Sequence, residues 1–217
     1  MSPVDAVVLD LDGVLVDSEH VWDEVRQRLA LERGGRWHEQ ASRDMMGMSS
    51  PEWSRYMHEV VGIADPPGEI NAEVVRRLVA RYREDLPLLP GAVEAVEALA
   101  ARWPLGLASS SNRELIDLVL AGSGLDRLFV ATVSSEEVPR GKPAPDVYLE
   151  AARRLGVAPE RSAAVEDSEN GIRSAKAAGM RVVAVPNPRY PPADEALALA
   201  DVVLLSIAEL TADVLEP

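Results

Sequence analysis

The chain of 217 residues contains no cysteine. That excludes a disulfide framework, a thiolate metal site and a cysteine nucleophile together; it fits a reducing compartment, and the cytoplasm is the expected location. Lysine is nearly as scarce: of 22 basic residues only Lys142 and Lys176 are lysines. No run is rich in Lys or Arg without acids between them, and 36 Asp plus Glu leave a formal charge of −14. Neutralising a phosphate backbone takes a concentrated basic surface, because each phosphate contact releases a counterion, so nucleic acid is not an expected partner. Long apolar runs are missing too. No stretch approaches the ~20 residues needed to span a bilayer, and the apolar start over 4–9 lacks a basic leader and contains Asp5, so no membrane partner is expected.

What is present is the composition of a soluble globular protein, 47% hydrophobic and 27% charged. Domains run to roughly 100–200 residues, so the length accommodates one domain carrying an insertion. Val7, Val8 and Leu9 form a short apolar run of buried-strand type, followed by the turn Asp10-Leu11-Asp12-Gly13. The pattern then becomes helical, with Val21, Val25 and Leu29, then Trp53, Met57 and Val61, then Ile70, Val74, Leu78 and Tyr82 recurring at four-residue spacing. From residue 87 onward the style alternates. Strands are expected over 105–108, 128–133, 163–165, 182–185 and 202–205, with helices over 114–121, 145–155 and 171–178 between them. Such alternation predicts an α/β fold, a Rossmann-like parallel sheet built from residues 1–16 and 87–217, with an α-helical cap over 17–86 inserted after the first strand.

In an open parallel sheet, ligands bind beyond the carboxyl ends of the strands. Four polar clusters fall there. Asp10 and Asp12, two apart, project to one side and either share a cation or cap the next helix. Ser109, Ser110 and Ser111 offer hydroxyls and backbone N–H groups of anion-site type, although Ser111 with Glu114 also matches a helix capping box. Lys142 is held between Gly141 and Pro143 before a helix. Glu166 and Asp167 end a strand and offer oxygen ligands to a hard cation, while Ser168 or Asn170 suits a helix cap.

Acid pair, hydroxyl, lysine and acid pair, in this order, resemble the four motifs of the haloacid dehalogenase superfamily. The stretches are 10–19 (DLDGVLVDSE), 109–111, 142–146 (KPAPD) and 166–179 (EDSENGIRSAKAAG). The branch holding beta-phosphoglucomutase and small sugar-phosphate phosphatases is the most similar. The resemblance implies that Asp10 is a nucleophile forming an aspartyl-phosphate and that Asp12 is the general acid and base. It implies Mg2+ held by Asp10, the backbone carbonyl of Asp12, Asp167 and Glu166, and a transferring phosphoryl group bound by Ser109, the N–H of Ser110 and Lys142. The expected substrate is a small phosphorylated metabolite, a sugar phosphate first, and monomer is the default state.

Departures from the family patterns sort the alternatives. Asp12 is present, which favours phosphoryl transfer over carbon dehalogenation, and the cap has no lysine for Schiff-base chemistry. A mutase, the main alternative to a phosphatase, would carry a cap arginine and histidine where Ser50 and Trp22 stand, with Arg43, Arg55, Arg76 or Arg77 as substitutes. A non-catalytic phosphate-binding module would be expected to lack Asp10, Asp12, Lys142 or Asp167. Ser18, Glu19, His20 and Trp22 are candidates to face the site, His20 first as a helix-surface residue, and the 45–48 stretch (MMGM) serves as a flexible lip or as cap core.

Overall fold

Val7, Val8 and Leu9 have no polar side to turn to water, and they form the centre of the molecule. In the computed structural model, which describes residues 4–215, β1 (Ala6–Leu9) is buried on both faces. Val7 and Leu9 enter one apolar cluster, and Val8, on the opposite face of the pleat, enters another with Val147, Tyr148 and Ile172.

Four helices follow β1: α1 (Glu19–Glu32), α2 (Gln40–Met45), α3 (Ser50–Glu59) and α4 (Pro67–Glu84). Their four-residue periodicity works as expected: Val21, Val25, Leu29, Trp53, Met57, Ile70, Val74, Leu78 and Tyr82 are all buried. Trp22 of α1 meets Trp53 of α3 edge to face, ring centroids 5.8 Å apart, an arrangement worth about 1 kcal/mol beyond the area it buries. The chain enters and leaves this helical unit at neighbouring points. Val16 bridges Leu88, the Asp17 N–H donates to the Pro87 carbonyl at 2.8 Å, and the Leu89 N–H donates to the Leu15 carbonyl at 2.9 Å.

The remaining chain alternates as α5 (Ala92–Ala100), β2 (Leu105–Ser109), α6 (Arg113–Ser123), β3 (Phe129–Ser134), α7 (Asp146–Leu155), β4 (Ser162–Glu166), α8 (Glu169–Ala177), β5 (Arg181–Ala184), α9 (Asp194–Leu197), β6 (Val202–Val203) and α10 (Ala212–Leu215). The sheet order is β3-β2-β1-β4-β5-β6 and every pairing is parallel. One expected strand is cut short. The apolar run over 202–205 pairs only through Val203, because Leu205 is 88% exposed and its N–H is taken by the Glu209 carboxylate at 3.0 Å, which turns the chain out of the ladder. Among the described residues no helix is long and apolar enough to cross a membrane.

The strand order locates the site. The chain moves from β1 outward through β2 to β3, then returns to β4 on the other side of β1. Loops leaving β1 and β4 therefore diverge, and the crevice between them lies at the carboxyl ends of the two central strands.

Candidate active site

Asp10 is the first residue after β1, and its N–H is fixed by the Val165 carbonyl at 3.0 Å. Glu166 ends β4 and Asp167 follows it. Oxygens of Asp10, Glu166 and Asp167 come within 4.8 Å of one another, and all three residues are buried. Burial, then the Glu166 charge, pushes the Asp10 carboxyl well above its ordinary range. Burial, Glu166 and Asp10 do the same to Asp167. Asp167 Oδ2 is buried without a hydrogen-bond partner. It lies so close to the turn that a Cβ on Gly13 (φ +74°) would stand 1.9 Å from it, so only glycine serves there. Converging acid oxygens, one of them orphaned, form the donor set of a hard divalent cation, and the residues fit one.

Lys142 supplies the nearest positive charge and is 2% exposed. Its Nζ lies 2.9 Å from Asp10 Oδ1 and 2.5 Å from Glu166 Oε1, and 5.2 Å from the centre of the Tyr148 ring. Burial by itself would lower its pKa. The Asp10 and Glu166 charges outweigh that and raise it, so the ammonium stays charged. Glu166 is pinned from several sides: the Tyr148 hydroxyl donates to Oε1 at 2.7 Å, while the Asp167 N–H and the Ser168 hydroxyl each donate to Oε2 at 3.2 Å. Ser168 is also the N-cap of α8, its hydroxyl accepting from the Gly171 N–H at 3.2 Å.

Asp12 is held between the helical unit and the sheet. Trp22 Nε1–H donates to one carboxylate oxygen at 3.2 Å and the Ser111 hydroxyl to the other at 2.6 Å. This corrects the capping box expected at Ser111 and Glu114. Asn112 occupies the N-cap position of α6, and the Ser111 hydroxyl is drawn to the charged Asp12 oxygen instead. Ser109 is fully buried, with its hydroxyl accepting the Ser111 N–H at 3.0 Å, so the cavity wall is made by Ser110 and Ser111. Asp10, Asp12, Lys142 and Asp167 all border that cavity. Glu166 and Ser109 lie behind it.

The opposite wall comes from the helical unit. Met45, Met46, Gly47 and Met48 line the cavity, and the Gly47 carbonyl accepts the Ser110 hydroxyl at 3.2 Å. Asn170 Nδ2–H donates to the Met46 carbonyl at 3.2 Å, and the Ser50 hydroxyl to Asn112 Oδ1 at 2.9 Å. These bonds draw the two walls together, and the space left between them is about 40 Å3, room for about three waters. Glu19, Trp22 and Arg26, spaced three and four apart, face it from α1. His20 is exposed beside Asp17. Arg43, Arg55, Arg76 and Arg77 do not border the cavity; Arg76 and Arg77 ion-pair with Glu73 on the outside.

The sequence offers Ser111 both to the anion site and to a helix cap, without pointing to its bond with Asp12, and it singles out neither Tyr148 nor Arg26. Tyr148 carries no signal beyond following the KPAPD motif, and Arg26 is detectable from its helical spacing with Glu19 and Trp22.

Several known proteins are similar to this chain. Hexitol phosphatase B of Escherichia coli (strain K12) is 39% identical, with 95% of this chain and 94% of that protein covered. The phosphorylated carbohydrates phosphatase of Thermotoga maritima is 34% identical over 82% of each. The crystal structure of CbbY from Rhodobacter sphaeroides in complex with phosphate superposes with a TM-score of 0.86 at 28% identity, covering 99% of this chain and 100% of that one. The family model for haloacid dehalogenase-like hydrolases matches residues 4–179. With its acids, serines and lysine gathered at the ends of β1, β2 and β4, the chain belongs to the haloacid dehalogenase-like hydrolases.

Proposed function

We propose that this hydrolase removes phosphate from small phosphorylated sugars or polyols, with Mg2+ as cofactor and through an aspartyl-phosphate on Asp10. One observation carries the reading: Asp10 and Asp12 border the same cavity with unlike partners. Asp10 contacts the Lys142 ammonium, whereas among the described residues Asp12 accepts hydrogen bonds only from the uncharged donors Trp22 and Ser111. The first arrangement suits a nucleophile held against a cation, and the second suits a group that gives up and takes back a proton.

A carboxylate approaching a phosphate dianion to ~3.5 Å meets a repulsion on the order of 10 kcal/mol at an effective dielectric near 20. Lys142 offsets part of this. Asp10, Asp167 and the Asp12 carbonyl would hold the metal, with Glu166 directly behind, and its charge supplies the remaining electrostatic stabilisation. In the first half-reaction Asp10 bonds to phosphorus and the ester P–O bond breaks, with Asp12 delivering a proton to the leaving oxygen. In the second, Asp12 takes a proton from water, the water oxygen attacks phosphorus, and Asp10 is released with inorganic phosphate. The Ser110 N–H and Lys142, which border the cavity, bind the phosphoryl oxygens, while Ser109, expected among these ligands, stands behind the wall and fixes the Ser111 N–H. The helical unit over 17–86 acts as the cap that excludes water and selects the leaving group, and it opens for exchange, since about 40 Å3 does not admit a sugar phosphate. A mutase needs a cap cation for a second phosphate. Arg43, Arg55, Arg76 and Arg77 stand outside the cavity, and Arg26 within it already lies in the field of Glu19, Asp23 and Asp12.

The test is phosphate release from a panel of sugar and polyol phosphates with and without Mg2+. Release is expected to need the metal and to fall about 10^3-fold or more in Asp10→Asn. A hexose 1-phosphate that yields isomer faster than free phosphate refutes the proposal.

A further inference from the structure

Arg26 is buried at 5% exposure, clasped between two indoles with its guanidinium carbon 4.5 Å from the Trp22 ring centre and 4.8 Å from that of Trp53. It borders the cavity, yet it makes no hydrogen bond or ion pair among the described residues, and its Nε is buried with no partner at all. A guanidinium carries five N–H donors in a rigid fork, and buried donors are rarely left unmatched. The acids nearest to it, Glu19, Asp23 and Asp12, act on it through their charge without touching it. Burial lowers its pKa to about 10 and those charges offset only part of that, so the guanidinium stays charged while its donors stand free. Glu19, two turns back along α1 and bordering the same cavity, accepts no hydrogen bond among the described residues either.

A second anion would enter a wall that holds Glu19 and Asp12 besides the acids around Asp10. A neutral, acceptor-rich group avoids that repulsion and uses both the free donors and the free acceptor. We propose that Arg26 and Glu19 are the specificity-determining pair for an uncharged polyhydroxyl leaving group, Arg26 donating to neighbouring hydroxyl oxygens and Glu19 accepting from a hydroxyl. Trp22 and Trp53 hold the planar fork at the edge of the cavity. This rests on the phosphatase reading and adds to it which side chains recognise the part of the substrate beyond the phosphate.

The test compares sorbitol 6-phosphate with phenyl phosphate, whose leaving group offers no oxygen beyond the ester. Arg26→Met is expected to raise KM for the polyol phosphate about 10- to 100-fold while phenyl phosphate hydrolysis stays within about twofold, which also reports an intact fold. Arg26→Lys keeps the charge and loses the fork, and it is expected to recover less than half of the lost affinity. Equal losses on both esters, an unmoved KM for the polyol phosphate, or full recovery by lysine overturns the assignment. So does a wild-type preference for fructose 1,6-bisphosphate over sorbitol 6-phosphate that Arg26→Met abolishes. If the wild type hydrolyses neither monoester, the phosphatase reading falls and this one with it; if phenyl phosphate is hydrolysed, only the Arg26 assignment is at stake.

Discussion

Replacing a helical glycine by alanine ordinarily stabilises a protein by up to about 1 kcal/mol, because the unfolded chain loses freedom. Gly171, in the first turn of α8, is expected to behave oppositely. A Cβ at this position would lie 1.9 Å from the Glu166 carboxylate carbon and its Oε2. Such a clash is cheap when the neighbour can swing away, but Glu166 is tied to Lys142, Tyr148, Asp167 and Ser168. Moving it breaks a buried ion pair, which costs about 3–5 kcal/mol, so Gly171→Ala should destabilise by about 2–4 kcal/mol net of the helical gain. At roughly 2–4 °C per kcal/mol for a chain of this size, Tm falls by about 10 °C. Gly68→Ala is the control, since Gly68 lies in the first turn of α4 with nothing within 4 Å of the added carbon, and it should leave Tm unchanged or slightly higher. Thermal denaturation followed by circular dichroism reads both. A Gly171→Ala protein as stable as wild type would refute the claim that Glu166 is fixed in place.

Other outcomes follow from the same geometry. Lys142→Met leaves Asp10 and Glu166 buried without their cation, and Tm should drop by about 10 °C with phosphate release lost; an unchanged melting curve contradicts the ion-pair assignment. Burial raises the carboxyls of Asp10 and Asp167 well above their ordinary range and that of Glu19 from 4.5 to about 7. A folded pKa above the unfolded one contributes stability that is complete below the unfolded value and lost as pH rises through the folded value. Chelator-treated protein should therefore melt higher at about pH 5 than at about pH 8, and millimolar Mg2+ should narrow the gap; a flat profile in chelator argues against the buried acid cluster. Trp22→Phe keeps the contact with Trp53 but removes the N–H that Asp12 accepts, so kcat should fall about tenfold with a displaced limb in the pH–rate profile and Tm within about 2 °C; an unaltered profile separates Asp12 from proton transfer.

The sheet was legible because β1, β2 and β4 are continuous apolar runs that end in polar residues, and the helical unit because its apolar residues recur at four-residue spacing. The acid pairs and Lys142 were legible because strand ends collect ligands in this topology. What escaped depends on contacts that no local pattern encodes. Ser111 reaches Asp12 across 99 positions, and a rule about its neighbour at three residues' distance offers only a helix cap in its place. Tyr148 looks like any buried aromatic of an amphipathic helix until its hydroxyl is found on Glu166. Arg26 is charged on a buried face, which periodicity alone treats as an error in the pattern; the paired indoles that shelter it come from two different helices. The early end of β6, expected to run over 202–205, is hidden for a similar reason, since the carboxylate that draws Leu205 away comes from the following turn.

The bridge between Val16 and Leu88 bears on how such a molecule comes to exist. Facing residues of an antiparallel pair lie only about 5 Å apart, so the 17–87 segment departs and returns within the reach of a tight loop. To β1 and α5 the whole helical unit is therefore equivalent to a turn. On the proposed role of the helical unit, a chimera grafted at these two residues keeps the strand register beneath and is expected to take its selectivity from the donor and its hydrolytic chemistry from the recipient.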